Sequence, residues 1–306
     1  MASPFRRKQV KRYRRDIMPV ASPAAGAPLG APSSNREIMG GIDSPLLEVG
    51  NLSLRFGGVA ALKGVSFSIR RGTISSIIGP NGAGKTTIFN CISRLYRPDL
   101  GRISFKGWDL LKLRPHQVAT HGIARTFQNP ELFSHTTTLD NLLLGRHCHM
   151  NIGLLGAVTF SPWTVREELR HREAVERIIE FLGLQPTRDQ LVATLPYGTR
   201  KLVELGRALA LEPELLLLDE PSAGMSAEEK RELKLRIQDT REEMGITILL
   251  VEHDMSLVMG ISDTVLVLNH GEAIASGPPA EIRGNPEVLR AYLGKEEADA
   301  SPIDVA

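Results

Sequence analysis

Beyond the amino-terminal stretch, short apolar segments with two different periodicities follow one another along the chain. Apolar and polar residues alternate in 52–54 and in 65–69, which predicts strands that are buried on one face. Residues 74–78 predict another short strand, and a glycine-rich turn follows it directly. The continuous apolar runs 215–218 and 246–251 are typical of strands covered on both faces in a parallel sheet.

A helix is predicted between the last two of these strands. Leu233, Ile237 and Met244 recur at helical spacing. Ser226, with Glu229 three residues later, forms a capping box that would start this helix. Strand, helix and strand in this order predict an α/β core built on a parallel sheet.

The stretch from about 131 to 210 has a different pattern, because its apolar residues recur at helical spacing and no strand candidate interrupts them. One stripe consists of Val175, Ile178, Ile179 and Leu182, and a second of Leu202, Leu205 and Leu209. We interpret this stretch as a helical insertion within the α/β domain.

The carboxyl-terminal part predicts a hairpin and a final helix. Residues 265–269 and 272–275 flank a His-Gly pair, as the two strands of a hairpin do. A short helix over 286–293 precedes an acidic tail. The predicted organisation is therefore a tail over 1–43, one domain over 44–294 and a flexible tail over 295–306.

Composition places the chain among ordinary soluble globular proteins. It has 306 residues, of which 42% are hydrophobic and 24% charged, enough for one large or two small domains. No apolar run approaches the roughly 20 residues that cross a bilayer. Two cysteines, Cys91 and Cys148, are too few for a disulfide scaffold or a Cys-x-x-Cys metal site, which favours a reducing cytosol.

Charge is distributed unevenly along the chain. Although the formal net charge is +2, residues 1–43 alone hold eight basic and three acidic side chains. The basic cluster 6–15 is followed by an Ala/Pro/Gly/Ser stretch over 19–34, which predicts a solvated, disordered extension. Contact of this tail with anionic lipid headgroups is the alternative. The rest of the chain has no net positive charge, so nothing in it predicts a nucleic-acid partner.

A phosphate-binding loop is the strongest chemical motif. The run Gly79-Pro80-Asn81-Gly82-Ala83-Gly84-Lys85-Thr86 matches G-x-x-x-x-G-K-[ST] and lies between a predicted strand and a predicted helix. Backbone N–H groups of such a loop surround phosphate oxygens, and the helix N-terminus adds positive potential. We expect Lys85 to reach the β- and γ-phosphates and Thr86 to ligate Mg²⁺, and we count Thr87 with the loop.

Two further strand ends carry polar groups that fit phosphate chemistry. Asp219 and Glu220 end the apolar run 215–218, at the sheet edge where ligands of open α/β sheets bind. Asp219 would hold Mg²⁺ through water, and Glu220 would polarise an attacking water. His253 follows the strand 246–251, where a neutral imidazole would form a hydrogen bond with a γ-phosphate in the transition state.

The order of these motifs resembles the nucleotide-binding domain of ABC transporters over about residues 46–294. Gln128 matches the family's Q-loop, residues 195–199 (Leu-Pro-Tyr-Gly-Thr) occupy the place of the signature motif, and residues 223–226 match the D-loop. Phe56 lies where the family has its adenine-stacking aromatic, with core packing as the alternative. Gln128 would otherwise be a loop amide without a ligand.

The resemblance implies a P-loop NTPase fold of the ABC type, with a helical subdomain insertion and a small antiparallel β part. It implies ATP and Mg²⁺ as ligands, with Glu220, His253 and Gln128 as catalytic residues and with Thr86, Gln128 and Asp219 around the metal. It further implies a head-to-tail dimer, in which Tyr197 and Gly198 of one subunit contact the nucleotide of the other and the Gly198 N–H meets the γ-phosphate.

Two departures from the family pattern affect this contact. Pro196 and Tyr197 replace the signature's serine and first glycine, and Ser226 stands where many members have an aspartate in the D-loop. Proline offers neither a hydroxyl nor an N–H, but it is tolerated in the first turn of a helix, which we expect to start here. We therefore predict that Gly198 makes the cross-subunit contact and that position 196 is secondary.

Several stretches resemble the ATP-binding subunit of branched-chain amino acid importers. They are Gly122-Ile123-Ala124-Arg125-Thr126-Phe127-Gln128-Asn129, the Tyr-Gly signature, Val251-Glu252-His253-Asp254-Met255, Gly260-Ile261-Ser262-Asp263 and Arg290-Ala291-Tyr292-Leu293-Gly294. The last two are not nucleotide motifs and therefore indicate the subgroup. The resemblance implies as partners a second nucleotide-binding subunit, identical or paralogous, two transmembrane permease subunits and a periplasmic or extracellular substrate-binding protein. It also implies a peripheral location on the cytoplasmic face of the inner membrane.

Other functions remain open at this point. Importers of urea or short-chain amides have closely related ATPases, because the substrate touches only other subunits. A soluble ABC-type ATPase of DNA repair or translation would carry two nucleotide domains or a long coiled-coil insertion, and a P-loop kinase or GTPase would lack the signature and Q-loop. Within an importer, we expect residues 129–144, with Leu132 and Phe133, to contact the membrane subunits; burial of these side chains is the alternative.

Overall fold

The computed structural model describes residues 44–149 and 162–299. The strands are β1 (Leu47–Phe56), β2 (Val59–Ile69), β3 (Ile74–Ile78), β4 (Leu100–Phe105), β5 (Trp108–Asp109), β6 (Ile123–Arg125), β7 (Leu215–Asp219), β8 (Thr247–Val251), β9 (Thr264–Asn269) and β10 (Glu272–Gly277). The α-helices are α1 (Lys85–Ile92), α2 (Pro115–Thr120), α3 (Thr138–Gly145), α4 (Pro162–Leu182), α5 (Tyr197–Leu209), α6 (Ala227–Met244), α7 (Met255–Ile261), α8 (Pro279–Arg283) and α9 (Pro286–Asp299). Single 3₁₀ turns cover Leu110–Lys112, His147–His149, Gln185–Thr187 and Val192–Thr194.

A six-stranded sheet carries the phosphate loop and the strand-end carboxylates. Its order is β10-β9-β3-β8-β7-β6, and every neighbouring pair except β10–β9 is parallel. All residues of β3, β7 and β8 are buried. This agrees with the continuous apolar runs of β7 and β8, because helices cover both faces of a parallel sheet.

A second, four-stranded sheet has the order β2-β1-β4-β5 and is antiparallel throughout. Buried and exposed residues largely alternate along β1, as expected for a sheet with one face toward water. Leu47, Leu52 and Leu54 are buried on the inner face. This sheet is the small antiparallel part predicted from the resemblance.

The central strands divide the core into two layers. In β7, Leu216 and Leu218 pack with the helical segment, and Leu215 and Leu217 pack with α1 and the antiparallel sheet. Successive side chains of a strand point to opposite faces, so each strand contributes to both layers. A third, smaller cluster lies under the carboxyl-terminal helices.

The segment between β6 and β7 contains α3, α4 and α5 with two 3₁₀ turns between the last two helices, and one isolated bridge pairs Thr137 with Leu191. Its described residues, 126–149 and 162–214, contain helices and turns and no strand, in agreement with the predicted helical insertion. The predicted tail over 1–43, with its lipid contact, lies outside the described residues. No helix in 44–149 or 162–299 is both long and apolar enough to cross a membrane.

Two element boundaries differ from the sequence prediction. The helix α9 continues to Asp299, whereas we expected it to end at Leu293 and a flexible tail to begin at residue 295. Residues 295–299 (Lys-Glu-Glu-Ala-Asp) are mostly strong helix formers, so they continue a helix whose first turns are stabilised by tertiary contacts. The strand β8 begins at Thr247, one residue later than predicted.

Candidate nucleotide site

The phosphate loop connects β3 to α1, and two of its glycines are required by close backbone contacts. A Cβ atom on Gly79 (φ +150°) would lie 2.1 Å from the carbonyl oxygen of Leu268 in β9. A Cβ on Gly84 (φ +102°) would lie 2.7 Å from the carbonyl oxygen of Ala61 in β2. Both sheets therefore press against the loop, and only glycine combines this backbone conformation with so little space.

Lys85 is buried at the start of α1 and faces the loop rather than bulk solvent. Its Nζ donates to the carbonyl oxygens of Gly79 at 2.7 Å and Pro80 at 3.1 Å. These bonds hold the ammonium group inside the loop as a fixed positive charge. Thr86 is exposed and Thr87 is half-buried in the first turn of the same helix.

A cavity of about 510 Å³ adjoins the first half of the loop and brings together six residues that the sequence predicts for the site. It is lined by Gly79, Pro80, Asn81, Gln128, Glu220, His253, Ala291 and Tyr292. The parallel topology explains this meeting, because the ends of β3, β6, β7 and β8 lie at one edge of the sheet. Tyr292 and Ala291 were not predicted to line the site.

Glu220 directly follows β7 and is held by the end of β8 and by the Q-loop. Its N–H donates to the Val251 carbonyl oxygen at 2.8 Å, and its carboxylate accepts from Gln128 Nε2 at 2.9 Å. His253 Nδ1 lies 3.7 Å from the same carboxylate oxygen. The backbone of Glu220 has φ +45°, a conformation uncommon for a residue with a side chain, so the surrounding structure fixes the direction of this carboxylate.

A buried carboxylate next to His253 organises this part of the site. Glu252 has no exposed surface and accepts hydrogen bonds from the N–H groups of Ser222 at 2.8 Å, His253 at 3.0 Å and Asp254 at 3.3 Å. It therefore ties the loop after β7 to the loop after β8. Sequence reasoning missed it because an acidic residue at a strand end gives no signal of burial.

Asp219 is paired rather than free in the described structure. Its carboxylate accepts from Arg125 Nη2 at 2.8 Å, and Arg125 also donates to Asn90 Oδ1 at 2.7 Å. The guanidinium lies 5.6 and 5.1 Å from the ring centres of Phe89 and Phe127. Arg125 thus fixes the orientation of the carboxylate that the sequence predicts near Mg²⁺, and the sequence prediction did not include this arginine.

The signature segment lies outside the cavity and against the D-loop of its own chain. Pro196 is the N-cap of α5, one position before the first helical turn in which we expected it. The reason is that its extended backbone (ψ 154°) ends the preceding loop. The ring of Tyr197 contacts Gly224 of the D-loop so closely that a Cβ there would lie 3.1 Å from it.

Gly198 is buried and contacts Glu229 in the first turn of α6. A Cβ on Gly198 would lie 2.1 Å from Glu229 Oε1. Hydrogen bonds from the N–H and the side chain of Ser226, together with the nearby Gly198 N–H, hold the pKa of the Glu229 carboxyl below its usual value. The amide expected to contact a γ-phosphate therefore lies next to a carboxylate of its own chain.

Three charged residues of α5 hold the Q-loop by its backbone. Lys201 Nζ donates to the carbonyl oxygen of Gln128, Glu204 accepts from the N–H of Phe127 at 2.9 Å, and Arg207 donates to the carbonyl oxygen of Glu131. Burial raises the pKa of the Glu204 carboxyl and lowers that of the Lys201 ammonium group. The signature helix and the Q-loop are therefore joined within one subunit.

Phe56 lies at the end of β1 and is 46% exposed, so it is not the core residue that the alternative reading required. Its ring meets Tyr96 edge to face, with the ring centres 5.2 Å apart. It does not line the 510 Å³ cavity. Phe56 is thus available to stack on a planar ligand, and that role stays a prediction.

The segment after the Q-loop exposes one of its two predicted contact residues. Phe133 is 57% exposed, and its N–H donates to Asn141 Oδ1 at 2.9 Å, so burial does not explain its apolar side chain. Leu132 is partly buried and packs against the core of the helical segment. Phe133 therefore remains the candidate for contact with another subunit.

A family model described as "ABC transporter" matches residues 62–223, more than half of the chain, and spans the phosphate loop, the Q-loop and the strand-end carboxylates. The chain belongs to the ABC transporter family. This match confirms three predictions from the sequence, namely the family membership, the fold class and the ATPase activity. A second model, described as "Branched-chain amino acid ATP-binding cassette transporter", matches residues 274–298 at the carboxyl-terminal end of this ABC ATPase.

Curated relatives align over almost their entire length with this ABC ATPase. The high-affinity branched-chain amino acid transport ATP-binding protein BraF of Pseudomonas aeruginosa is 41% identical over 251 residues, 82% of this chain and 98% of BraF. LivG of Escherichia coli K12, which carries the same description, is 41% identical over 254 residues, 83% of this chain and 100% of LivG.

Solved structures share the fold. The ADP conformation of MJ1267, an ATP-binding cassette of an ABC transporter, superposes with a TM-score of 0.72 at 34% identity and covers 82% of this chain and 99% of its own. A dimeric post-hydrolysis state of the cassette MJ0796 with ADP and Pi has a TM-score of 0.65 at 24% identity and covers 76% of this chain and 98% of its own. At that identity the second comparison supports the fold alone.

Proposed function

We propose that this ABC ATPase powers the import of branched-chain amino acids through separate membrane subunits. The observation that carries the proposal is the match of residues 274–298 to the branched-chain description, because this segment lies outside the nucleotide motifs common to all ABC proteins. The relatives BraF and LivG, which are described as branched-chain amino acid transport proteins, support the same substrate class. Urea or short-chain amide import is the alternative.

ATP would bind with its phosphates in the loop over 79–86. Lys85 is already held inside the loop, and the backbone N–H groups at the start of α1 complete an anion site. Phe56 would stack on the adenine. Residues Tyr197 and Gly198 would contact the nucleotide of a second subunit in a head-to-tail dimer.

The residues near the phosphate loop fit a magnesium ion. The Thr86 hydroxyl, the carbonyl oxygen of the Gln128 amide and the Asp219 carboxylate are oxygen donors, which Mg²⁺ prefers, and Mg²⁺ retains several waters. Gln128 donates its Nε2 to Glu220, which leaves its carbonyl oxygen as an acceptor. When bound, the ion would neutralise charge on the β- and γ-phosphates.

Hydrolysis would depend on Glu220, His253 and Gln128. The Glu220 carboxylate would orient an attacking water and accept its proton, and His253 would donate a hydrogen bond to the γ-phosphate. Gln128 links these groups to the helical segment, because the α5 side chains of Lys201, Glu204 and Arg207 form hydrogen bonds with the Q-loop backbone. ATP binding and movement of the segment that carries Phe133 would then be coupled.

The proposed partners are a second nucleotide-binding subunit, two permease subunits and an extracytoplasmic substrate-binding protein. The complex would place this chain on the cytoplasmic face of the membrane. Reconstitution of all subunits in liposomes tests the proposal. We expect the binding protein loaded with leucine to stimulate ATP hydrolysis and leucine uptake, whereas stimulation by urea or a short-chain amide in place of leucine would contradict the substrate class.

Phe133 provides a test of the membrane contact in the same liposomes. We expect Phe133→Asp to abolish uptake and to leave ATP binding by the free subunit within about twofold, because the side chain is exposed and its loss removes apolar contact area with a partner. Leu235→Asp, at a similarly exposed apolar position on α6, is the matched control and should retain uptake. Normal uptake by Phe133→Asp would show that Phe133 does not form the contact with the membrane subunits.

A further inference from the structure

The carboxyl-terminal helix α9 docks on the domain through one face. Val288 and Tyr292 lie one turn apart on this face and pack in the cluster with Ile78, Val258, Val265, Val267 and Ile282. Ile78 is the last residue of β3, directly before the phosphate loop. The helix is therefore anchored to the strand that carries the loop.

This docking brings one turn of α9 to two cavities that are also lined by the phosphate loop. Ala291 and Tyr292 line the 510 Å³ cavity with Gly79, Pro80 and Asn81. Arg290 and Ala291 line a second cavity of about 220 Å³ together with Pro80, Asn81, Gly82, Ala83, Asn269 and His270. The turn over 290–292 thus adjoins the first half of the phosphate loop, where no nucleotide motif of the sequence predicted a neighbour.

The Tyr292 side chain packs on the apolar cluster, and its hydroxyl lies next to the phosphate loop. Its hydroxyl is buried beside the backbone amide of Gly79, yet it forms no hydrogen bond of good geometry with the described residues. Burial raises the pKa of this phenol to about 12, so it stays neutral. The ring, by contrast, is in contact with the apolar cluster below the loop.

We propose that Tyr292 is a positioning residue of the nucleotide site, whose ring supports the first half of the phosphate loop in the cavity that it lines together with Glu220 and His253. Gly79 and Gly84 have no side chains with which to hold the loop, so its shape depends on what packs against it. β2 and β9 support it near these two glycines, and Tyr292 adds support beside Gly79. The inference rests on the proposed ATP site.

The position of the residue predicts which nucleotide it affects. Tyr292 lines the same cavity as Gln128, Glu220 and His253, the residues that the proposed function assigns to the γ-phosphate and its hydrolysis. Loss of the ring should therefore weaken binding of ATP more than that of ADP. A residue that only anchors α9 to the core would change the stability of the fold and leave the ratio of the two affinities unchanged.

The test compares Tyr292→Ala with Val288→Ala in the full chain, by titration with ATP and ADP in the presence of Mg²⁺ and by thermal unfolding. Val288 is the matched control, because it belongs to the same helix face and cluster but lines neither cavity. We expect both variants to unfold at lower temperature. Only Tyr292→Ala should bind ATP about tenfold more weakly, with ADP affinity within about threefold of the unsubstituted chain.

Tyr292→Phe keeps the ring and removes the unpaired hydroxyl, so we expect normal ATP affinity and equal or higher thermal stability. Equal ATP-to-ADP affinity ratios in Tyr292→Ala and Val288→Ala would overturn the proposal, as would a loss in Tyr292→Phe as large as that in Tyr292→Ala. Lys85→Ala separates this result from failure of the proposed function. If the unsubstituted chain binds ATP no better than Lys85→Ala, the ATP site itself is wrong.

Discussion

Replacement of Glu220 by glutamine should stop ATP turnover and leave ATP binding intact. The amide cannot accept a proton from the attacking water, so we expect kcat to fall by about 10²- to 10⁴-fold. The local geometry tolerates the change. A glutamine oxygen can still accept the hydrogen bond from Gln128 Nε2, and the left-handed backbone at φ +45° costs a glutamine no more than a glutamate.

The measurement is steady-state phosphate release together with ATP affinity and oligomeric state. Because hydrolysis is blocked, the ATP-bound dimer should accumulate in Glu220→Gln. Glu272→Gln is the matched control, since Glu272 is an exposed carboxylate paired with Lys63 at 3.0 Å, and it should retain normal turnover. Turnover near the unsubstituted rate in Glu220→Gln would remove Glu220 from the proposed catalytic role.

Introduction of an aspartate at Gly198 should block formation of the ATP-bound dimer. The new carboxylate would face the γ-phosphate across the interface, and juxtaposed like charges at an interface cost several kcal/mol. The structure requires a modified test, because a Cβ at this position would lie 2.1 Å from Glu229 Oε1. The substitution alone would displace Glu229 and thereby change the subunit before any partner arrives.

The informative comparison therefore uses a background without that side chain. With Glu220→Gln present in all proteins, Glu229→Ala should dimerise with ATP, whereas Gly198→Asp combined with Glu229→Ala should remain monomeric and still bind ATP. Pro196→Ser should change dimerisation by no more than about 1 kcal/mol, the net value of one hydrogen bond. Light scattering with and without ATP distinguishes these results. Equal dimerisation with and without Gly198→Asp would place the cross-subunit contact outside Gly198.

The Gly198 amide has two possible anionic partners, the Glu229 carboxylate of its own chain and a γ-phosphate of the partner's nucleotide. The Glu229 carboxylate accepts a hydrogen bond at the start of α6 and lies next to the amide at the start of α5. A helix N-terminus stabilises an anion, whether the anion is a carboxylate of the same chain or a phosphate of a partner's nucleotide. In the proposed dimer, the γ-phosphate would compete with Glu229 for the Gly198 amide.

The sequence by itself determined those features that depend on residues close together in the chain. The predicted apolar runs form the buried strands β7 and β8, with β8 starting one residue later than predicted, and the capping box of Ser226 and Glu229 starts α6 at Ala227. The phosphate loop is equally local, since its glycines, lysine and flanking strand and helix are contiguous. The order of strand, helix and strand was sufficient to predict an α/β core, because ordered strands and helices leave few topologies for a parallel sheet. The ABC type of this fold came from the resemblance of the motifs to a known family.

Tertiary structure decided which residues from distant segments support the site. Three features join elements that are far apart in sequence. They are the burial of Glu252, the pairing of Asp219 with Arg125, and the hydrogen bonds of Lys201 and Glu204 to the Q-loop backbone. A charged residue has the same local pattern whether it is solvated or buried, because burial depends on what packs against it. Tyr292 shows the same limit. Its stretch indicated a subgroup, but only the docking of α9 on the end of β3 placed its ring beside the phosphate loop.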